Sequence, residues 1–312
     1  MTPKSSDPRP LVLAGPTASG KSEVALLLAE QLGGEIISVD SMQVYRGLDI
    51  GTAKPVEEER RRAPHHLVDI LEINESFDAA KFARLAGEAV AGIRSRGRLP
   101  ILCGGTGLYL KAFLSGLGEA PPADAALRAE LEATPLAKLL EELRQRDPAT
   151  HERIDRQNPR RVIRALEIIR LTGRPIQRAD WVQAKERASF GGFGLARVSS
   201  DLHARINARV DAMFAHGLVA ETAGLLERGL AQNQTAMQAI GYRQVVEHLR
   251  GVRPLAETIE LVKIRTRQFA KRQMTWFRKQ AQLEWVRCEP GESAQSLAPR
   301  VIDALRSNGI LR

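Results

Sequence analysis

Three observations in this sequence predict an α/β fold. Four apolar runs, Leu11 to Ala14, Ile36 to Val39, Leu67 to Leu71 and Leu99 to Cys103, are separated by helical patterns at Ser22–Leu32 and Ala79–Arg96. Such alternation builds a parallel sheet flanked by helices. The first run passes directly into Gly15-Pro16-Thr17-Ala18-Ser19-Gly20-Lys21-Ser22, a complete phosphate-binding loop, and then into a helix. From about Gly118 strands give way to helical patterns until Phe193, with Pro121-Pro122 at the junction. The expected architecture is a P-loop NTPase-like parallel sheet flanked by helices, with an inserted all-helical subdomain. Residues 1–120 begin the core, 121–190 form the insertion, and 191–312 complete the core.

The loop works through its spacing. Glycines let successive backbone N–H groups curl around a phosphate, and the following helix aims its N-terminal dipole at the same anion. Lys21 adds a point charge, and the Ser22 hydroxyl is placed to ligate Mg²⁺ bridging two phosphates. The geometry recognises two linked phosphates and does not say which molecule carries them.

Asp40 closes the second run, so its carboxylate emerges at the carboxyl edge of the sheet, where open α/β sheets bind ligands. Two roles are open to it, catalytic residue or capping aspartate of an Asp-Ser turn. A polar loop follows through Asp49-Ile50-Gly51-Thr52-Ala53-Lys54-Pro55, of a length that beside a phosphate loop binds substrate. Asp69 interrupts the third run, a poor match to a Walker B carboxylate, which ends its strand. His65 and His66 are adjacent on an extended segment and point to opposite sides, so local hydrogen bonding is expected of them and a shared metal is not. The fourth run opens into Gly104-Gly105-Thr106-Gly107-Leu108-Tyr109, which either lets backbone approach a ligand or simply turns the chain tightly into a helix.

In the insertion, Leu127–Ala133 and Leu136–Arg146 are short amphipathic candidates. A third helix starts at Asn158 (N-cap) and Pro159 and is closed by Gly173 and Pro175. Its Arg160, Arg161, Arg164 and Arg170 flank an apolar stripe, with Glu167 among them; a solvated face is the usual reason for such charge, and its lopsidedness also suits phosphate contacts. Strand candidates return at Phe193–Val198 and Leu283–Val286. Between them Asp201 reads as an N-cap, and Arg205 and Arg209 lie four apart on one helix face. A long helix over roughly Leu255 to Gln282 repeats Lys263, Arg267 and Lys271 as a basic ridge about 12 Å long.

The chain has 312 residues, is 43% hydrophobic and carries a net charge of +9, which favours a polyanionic partner. Aromatic residues at 4% argue against a broad base-stacking platform, although Trp276, Phe277 and Tyr242 remain available for one or two bases, Phe277 more as a core residue. Cys103 and Cys288 lie far apart and form no disulfide framework or zinc pattern. Met1 to Pro10 lacks an apolar signal region, and no run approaches the roughly 18 residues of a membrane span. A cytoplasmic protein with no membrane partner is expected.

Taken together, the phosphate loop, Asp40-Ser41-Met42-Gln43-Val44-Tyr45, Asp49 to Pro55, Gly104 to Tyr109, Gly241-Tyr242-Arg243 and Lys271-Arg272-Gln273-Met274-Thr275-Trp276-Phe277-Arg278 resemble the tRNA dimethylallyltransferase (tRNA isopentenyltransferase) family. The resemblance runs over nearly the whole chain in family order. It implies transfer of a dimethylallyl group from dimethylallyl diphosphate to the exocyclic amine of the adenine 3′ to a tRNA anticodon. The loop would then hold a prenyl diphosphate with Mg²⁺ at Ser22, and not ATP. By similarity Asp40 is the general base, Thr106 positions the reacting groups, and Arg209 holds the diphosphate or the base. Contacts to the anticodon stem-loop carry over to Asp40, Ser41, Met42, Gln43, Thr106 and Arg128; to Gln157, Asn158, Pro159, Arg160 and Arg161; to Gln238, Ala239, Ile240, Gly241, Tyr242 and Arg243; and to Lys271 through Arg278. A monomer is expected. Between Trp181 and Gly192 the family pattern is weak and nothing transfers.

Other functions fit less well. A small-molecule or nucleotide kinase shares the loop and the sheet but has no use for two basic helices. A nucleic-acid ATPase needs a Walker B carboxylate, and a non-catalytic RNA-binding module does not need an intact phosphate loop.

Overall fold

The computed structural model describes residues 10–118, 120–177 and 191–309, so the N-terminal segment and the stretch beginning at Trp181 fall largely outside the described residues. The chain divides into two compact units, Met1–Leu114 with Ala188–Arg312, and Ser115–Arg187. In the larger unit six strands form one all-parallel sheet: β1 (Leu11–Ala14), β2 (Gly34–Val39), β3 (His65–His66), β4 (Leu99–Gly104), β5 (Gly191–Arg197) and β6 (Glu284–Cys288), in the order β3-β2-β4-β1-β5-β6. Its helices are α1 (Lys21–Leu32), α2 (Glu57–Arg62), α3 (Ala79–Ser95), α4 (Gly107–Ser115), running into the boundary with the smaller unit, and, after the insertion, five more named below.

Alternation along the central strands divides the core into two layers, because successive side chains leave opposite faces of a strand. Val12 and Ala14 of β1, Ile37 and Val39 of β2 and Leu102 of β4 face one layer with Phe82 and Tyr109. Leu11, Leu13, Ile36, Ile101 and Cys103 face the other, against Leu28 of α1 and Val301 of the C-terminal helix. Among the described residues no helix is long and apolar enough to cross a membrane.

The third apolar run departs from expectation. The strand is the pair His65–His66, and Leu67 to Leu71 is irregular, with Leu67 and Asp69 at φ 59° and 56°. Those left-handed residues turn Asp69 out of the sheet to accept from Lys54 Nζ at 2.6 Å and Arg60 Nη2 at 2.6 Å. These ion pairs act together with backbone bonds to the loop after β2, Asp69 N–H to Gln43 O at 3.1 Å and Ile70 N–H to Val44 O at 2.9 Å. The histidines bond locally, His65 Nδ1 to the Ala63 carbonyl and His66 Nε2 to Glu35.

The smaller unit contains four described helices, one more than the sequence pattern indicates: α5 (Ala125–Ala133), α6 (Leu136–Arg146), α7 (Pro148–Arg153) and α8 (Pro159–Thr172). Leu131, Leu139, Leu143, Val162 and Leu166 form its core. The arginines of α8 are less available than their sequence pattern implied. Glu167 is fully buried and accepts from Arg128 and Arg164, both at 2.6 Å, and from the Asp124 N–H at 3.1 Å. Arg170 is held by Glu130 and Glu142 at 2.7 Å each. Arg128, expected at the RNA, is therefore engaged inside its own unit, while Gln157, Pro159, Arg160 and Arg161 stay exposed at the start of α8 and Asn158 is half-buried. Glu167→Ala leaves two guanidinium groups without their buried partner and is expected to destabilise the protein by about 3 kcal/mol. Chemical denaturation reads this as a lowered midpoint, which the exposed control Glu152→Ala should leave unmoved.

Candidate active site

The remaining helices, α9 (Ser199–Ala215), α10 (Leu218–Glu227), α11 (Tyr242–Leu249), α12 (Leu255–Gln280) and α13 (Ala294–Ser307), complete the larger unit. Strand register brings its key loops together. Gly104 is level with Ala14 of β1 and with Val39 of β2, so the phosphate loop, Asp40 and the glycine turn leave adjacent strands side by side. An alanine Cβ at position 104 would lie 2.1 Å from the Val39 carbonyl oxygen.

The phosphate loop is held by its carbonyls. Arg205 Nε donates to Ala18 O and Arg197 Nε to Ser19 O, each at 2.9 Å, and Lys21 Nζ donates to Pro16 O at 3.1 Å. Arg197 is buried and also pairs with Asp201 at 2.9 Å, so Asp201 is not the helix cap expected of it; Val198 precedes the first turn. Gly20 caps α1 with no side-chain hydrogen bond, and the first N–H groups of the helix have no intrahelical acceptor. The loop thus presents donors, with Ala18 at φ 62° in the curl.

A single amide joins this loop to the glycine turn. Gln273 of α12 accepts from the Thr17 N–H at 2.8 Å and donates from Nε2 to Gly105 O at 2.9 Å. A Cβ at Gly105 would fall 2.2 Å from Gln273 Nε2, and one at Gly107 would fall 2.2 Å from the Trp276 ring. Both glycines are therefore contact surfaces for α12.

Between these elements lies a cavity of about 380 Å³, lined by Thr17, Asp40, Ser41, Met42, Thr106, Arg209, Gln238, Arg272 and Gln273, with Val210, Met213, Ile240, Val262 and Phe269 as its apolar wall. Asp40 accepts from the Met42 N–H at 2.8 Å and the Gln43 N–H at 3.3 Å, both on Oδ1. It caps a turn and lines the cavity as well. Arg209 Nη2 donates to Thr52 O at 3.3 Å, which also accepts from Gln43 Nε2 at 3.3 Å. Burial lowers the Lys21 pKa; the Cys103 thiol, Arg209 and Asp40 are all within electrostatic reach of that ammonium. Burial also depresses Arg209, opposed by Asp40. Cys103 is pushed up to about 11 by burial.

The loop carrying Thr52 is anchored by residues that sequence reasoning missed or placed elsewhere. Glu221 of α10 accepts from the Ile50 N–H at 2.9 Å, and the Tyr242 hydroxyl donates to Glu221 at 2.5 Å while accepting from the Gly51 N–H at 3.1 Å. Lys54 is buried between the Tyr45 carbonyl at 2.7 Å, Asp49 at 2.5 Å and Asp69 at 2.6 Å. Glu221 sits among ordinary helical residues and gives no sequence signal; the density of Gly and Thr before Lys54 marks only the loop.

Several residues expected at an RNA surface are elsewhere. Tyr242 and Phe277 are fully buried in the core, so neither ring is open to a base, and Ala239 and Gln273 are nearly so. Gly241, at φ 102°, starts α11, and Arg243 pairs with Glu247. The ridge on α12 is partly spent on α9: Lys263 pairs with Asp211 at 2.8 Å and Arg267 bonds Asn207 at 2.6 Å. Lys271, Arg272, Thr275 and Arg278 remain exposed, with Met274 and Trp276 half-buried.

Comparison with known proteins accounts for this constellation. Residues 43–280 match the family model described as IPP transferase. The chain is 49% identical to tRNA dimethylallyltransferase 1 of Trichlorobacter lovleyi over 285 residues, 89% of this chain and 93% of that protein. Among solved structures it resembles the full-length tRNA isopentenylpyrophosphate transferase of Bacillus halodurans, with TM-score 0.70, 40% identity, and coverage of 96% of this chain and 98% of that one. A eukaryotic dimethylallyltransferase acting on tRNA gives TM-score 0.77 at 27% identity, covering 96% of this chain and 79% of that one. The chain belongs to the IPP transferase family, that of the tRNA dimethylallyltransferases.

Proposed function

We propose that this protein transfers a dimethylallyl group from dimethylallyl diphosphate to the N6 amine of the adenosine 3′-adjacent to the anticodon, at position 37, in a subset of tRNAs, releasing diphosphate. The observation that carries the reading is the cavity itself. It borders the phosphate loop at Thr17, holds a carboxylate, Asp40, and an arginine, Arg209, and has an apolar wall of Val210, Met213 and Val262. In the reaction the allylic C1–O bond breaks with its electron pair leaving on diphosphate, the N6–C1 bond forms, and the N6 proton passes to Asp40. Lys21, Arg209 and the loop N–H groups neutralise the leaving group. Thr106 and the Met42–Gln43 turn orient the base. The amine is a weak nucleophile, so alignment and proton removal supply most of the barrier reduction asked of the protein.

Mg²⁺ fits the residues present. Ser22 is exposed on the first turn of α1, where its hydroxyl is a hard oxygen donor of the kind Mg²⁺ takes. Mg²⁺ is held mainly by substrate oxygens and water in sites of this kind, with few protein ligands needed. When bound, it supplies charge neutralisation to the diphosphate.

On the RNA side, exposed Lys271, Arg272 and Arg278 of α12 and Arg160 and Arg161 of α8 are the residues for tRNA phosphates, and Gln238 with Ile240 belongs to the base's entry path. The target base leaves the anticodon stack to reach Asp40.

Incubating the protein with bulk tRNA and either dimethylallyl diphosphate or ATP, followed by mass spectrometry of the nucleosides, tests the assignment. A five-carbon adduct on adenosine is expected only with the prenyl donor, and phosphoryl transfer from ATP would contradict it. Asp40→Asn should lower the single-turnover rate by roughly 10²–10⁴-fold with donor and tRNA affinities nearly unchanged, because Asn retains the oxygen that caps the turn and loses the proton acceptor. A fall of only a few-fold would restrict Asp40 to capping. Tyr242→Phe removes the hydroxyl that anchors Gly51, and through Thr52 it loosens Arg209. It should lower kcat by roughly three- to tenfold with the KM for tRNA unchanged, whereas a tRNA-binding role would raise that KM.

A further inference from the structure

A second cavity, of about 770 Å³, adjoins the first, with Ile50, Ala53, Pro55, Val56 and Ala212 on its walls beside the charged Asp49, Lys54, Glu57, Arg60 and Asp69. The two cavities share two side chains of α9, Arg209 and Met213. The backbone between them is the loop already described, Gly51 and Thr52 facing the first cavity and Ile50 and Ala53 the second. The wall therefore has three parts, and two are fixed. The loop is pinned by Glu221 and Tyr242, and Arg209 is bonded to Thr52 O. Met213, one turn beyond Arg209, has no polar atom to anchor it and a flexible, unbranched side chain. It is the one part of the wall that a small substitution removes.

We infer that Met213 sets the length of the prenyl donor by closing the apolar end of the catalytic cavity against the larger cavity adjoining it. This rests on the reading that the phosphate loop holds an allylic diphosphate. With the diphosphate at the loop and C1 beside Asp40, the hydrocarbon is directed to the apolar wall of Val210, Met213 and Val262. A five-carbon tail fits in front of Met213. A ten-carbon tail needs the space beyond, where Ile50, Ala53, Pro55, Val56 and Ala212 offer it apolar contact and the charges of Asp49, Lys54, Arg60 and Asp69 are engaged with one another. The chemistry of a ten-carbon donor is unchanged: the C1–O bond breaks with its electrons on diphosphate, the N6–C1 bond forms, and the N6 proton goes to Asp40.

The test compares dimethylallyl diphosphate with geranyl diphosphate as donors to tRNA for the full-length wild type, Met213→Ala and Met213→Val, reading kcat/KM for each and identifying the adduct by mass. The wild type is expected to favour the five-carbon donor. The geranyl-to-dimethylallyl ratio of kcat/KM should rise by roughly tenfold or more in Met213→Ala, with Met213→Val between. Because the readout is a ratio within one protein, a loss of folded material leaves it unmoved, and Met213→Val carries the test if the alanine variant does not fold. An unchanged ratio in the folded variants, or a wild type that uses both donors equally, overturns the assignment of Met213. A wild type that transfers neither donor counts instead against the proposed function.

Discussion

The side-chain amide of Gln273 makes two hydrogen bonds on which the geometry of the site depends. Its oxygen accepts from the Thr17 N–H of the phosphate loop, and its nitrogen donates to the Gly105 carbonyl of the turn after β4. An amide suits this position because it carries donor and acceptor on one rigid plane. Both partners are backbone groups in a nearly closed setting, where leaving them unpaired is costly. The same helix seats Trp276 on Gly107, so the absence of a Cβ at positions 105 and 107 is a packing requirement imposed by α12. As a result, one helix carries exposed Lys271, Arg272 and Arg278 on its outside and holds two donor-site loops on its inside.

A second constraint reinforces the first. Loop carbonyls are taken by Arg197, Arg205 and Lys21, while Gly20 caps α1 with no side chain over the first N–H groups of the helix. Arg197 and Arg205 come from β5 and α9, on the opposite side of β1 from the glycine turn. The phosphate loop is therefore gripped from both flanks by elements far away in sequence. Thr52 plays the matching part across the cavity, where its carbonyl receives Arg209 and Gln43 together. Under the proposed function, preorganisation of this kind lets the half-buried charges Lys21 and Arg209 act on the leaving diphosphate without rearrangement.

Much of this was legible in the sequence, for identifiable reasons. The phosphate loop, the helix from Leu136 to Arg146 and the helix opened by Asn158-Pro159 and closed by Gly173 are encoded by local chemistry, and they stand where local chemistry puts them. The third apolar run was not legible, because its backbone bonds to Gln43 and Val44 and its Asp69 pairs with Lys54 and Arg60, all partners from elsewhere in the chain. The charge on α8 looked free because Glu167 counts as a single acidic residue in the sequence, yet in the fold it engages Arg128 and Arg164 together. Tyr242 follows the same rule. A motif tyrosine next to a glycine and an arginine looks like a surface residue until Glu221, 21 positions earlier, is found receiving its hydroxyl.

The account's central claim is that α12 holds the donor site through Gln273. Binding of dimethylallyl diphosphate to Gln273→Leu, measured by calorimetry with Mg²⁺ and without tRNA, tests it most directly. Leucine fills the space and leaves Thr17 N–H and Gly105 O unpaired, so the donor Kd should rise roughly ten- to a hundredfold while the protein stays folded. A folded Gln273→Leu protein that binds the donor as tightly as the wild type would contradict the claim.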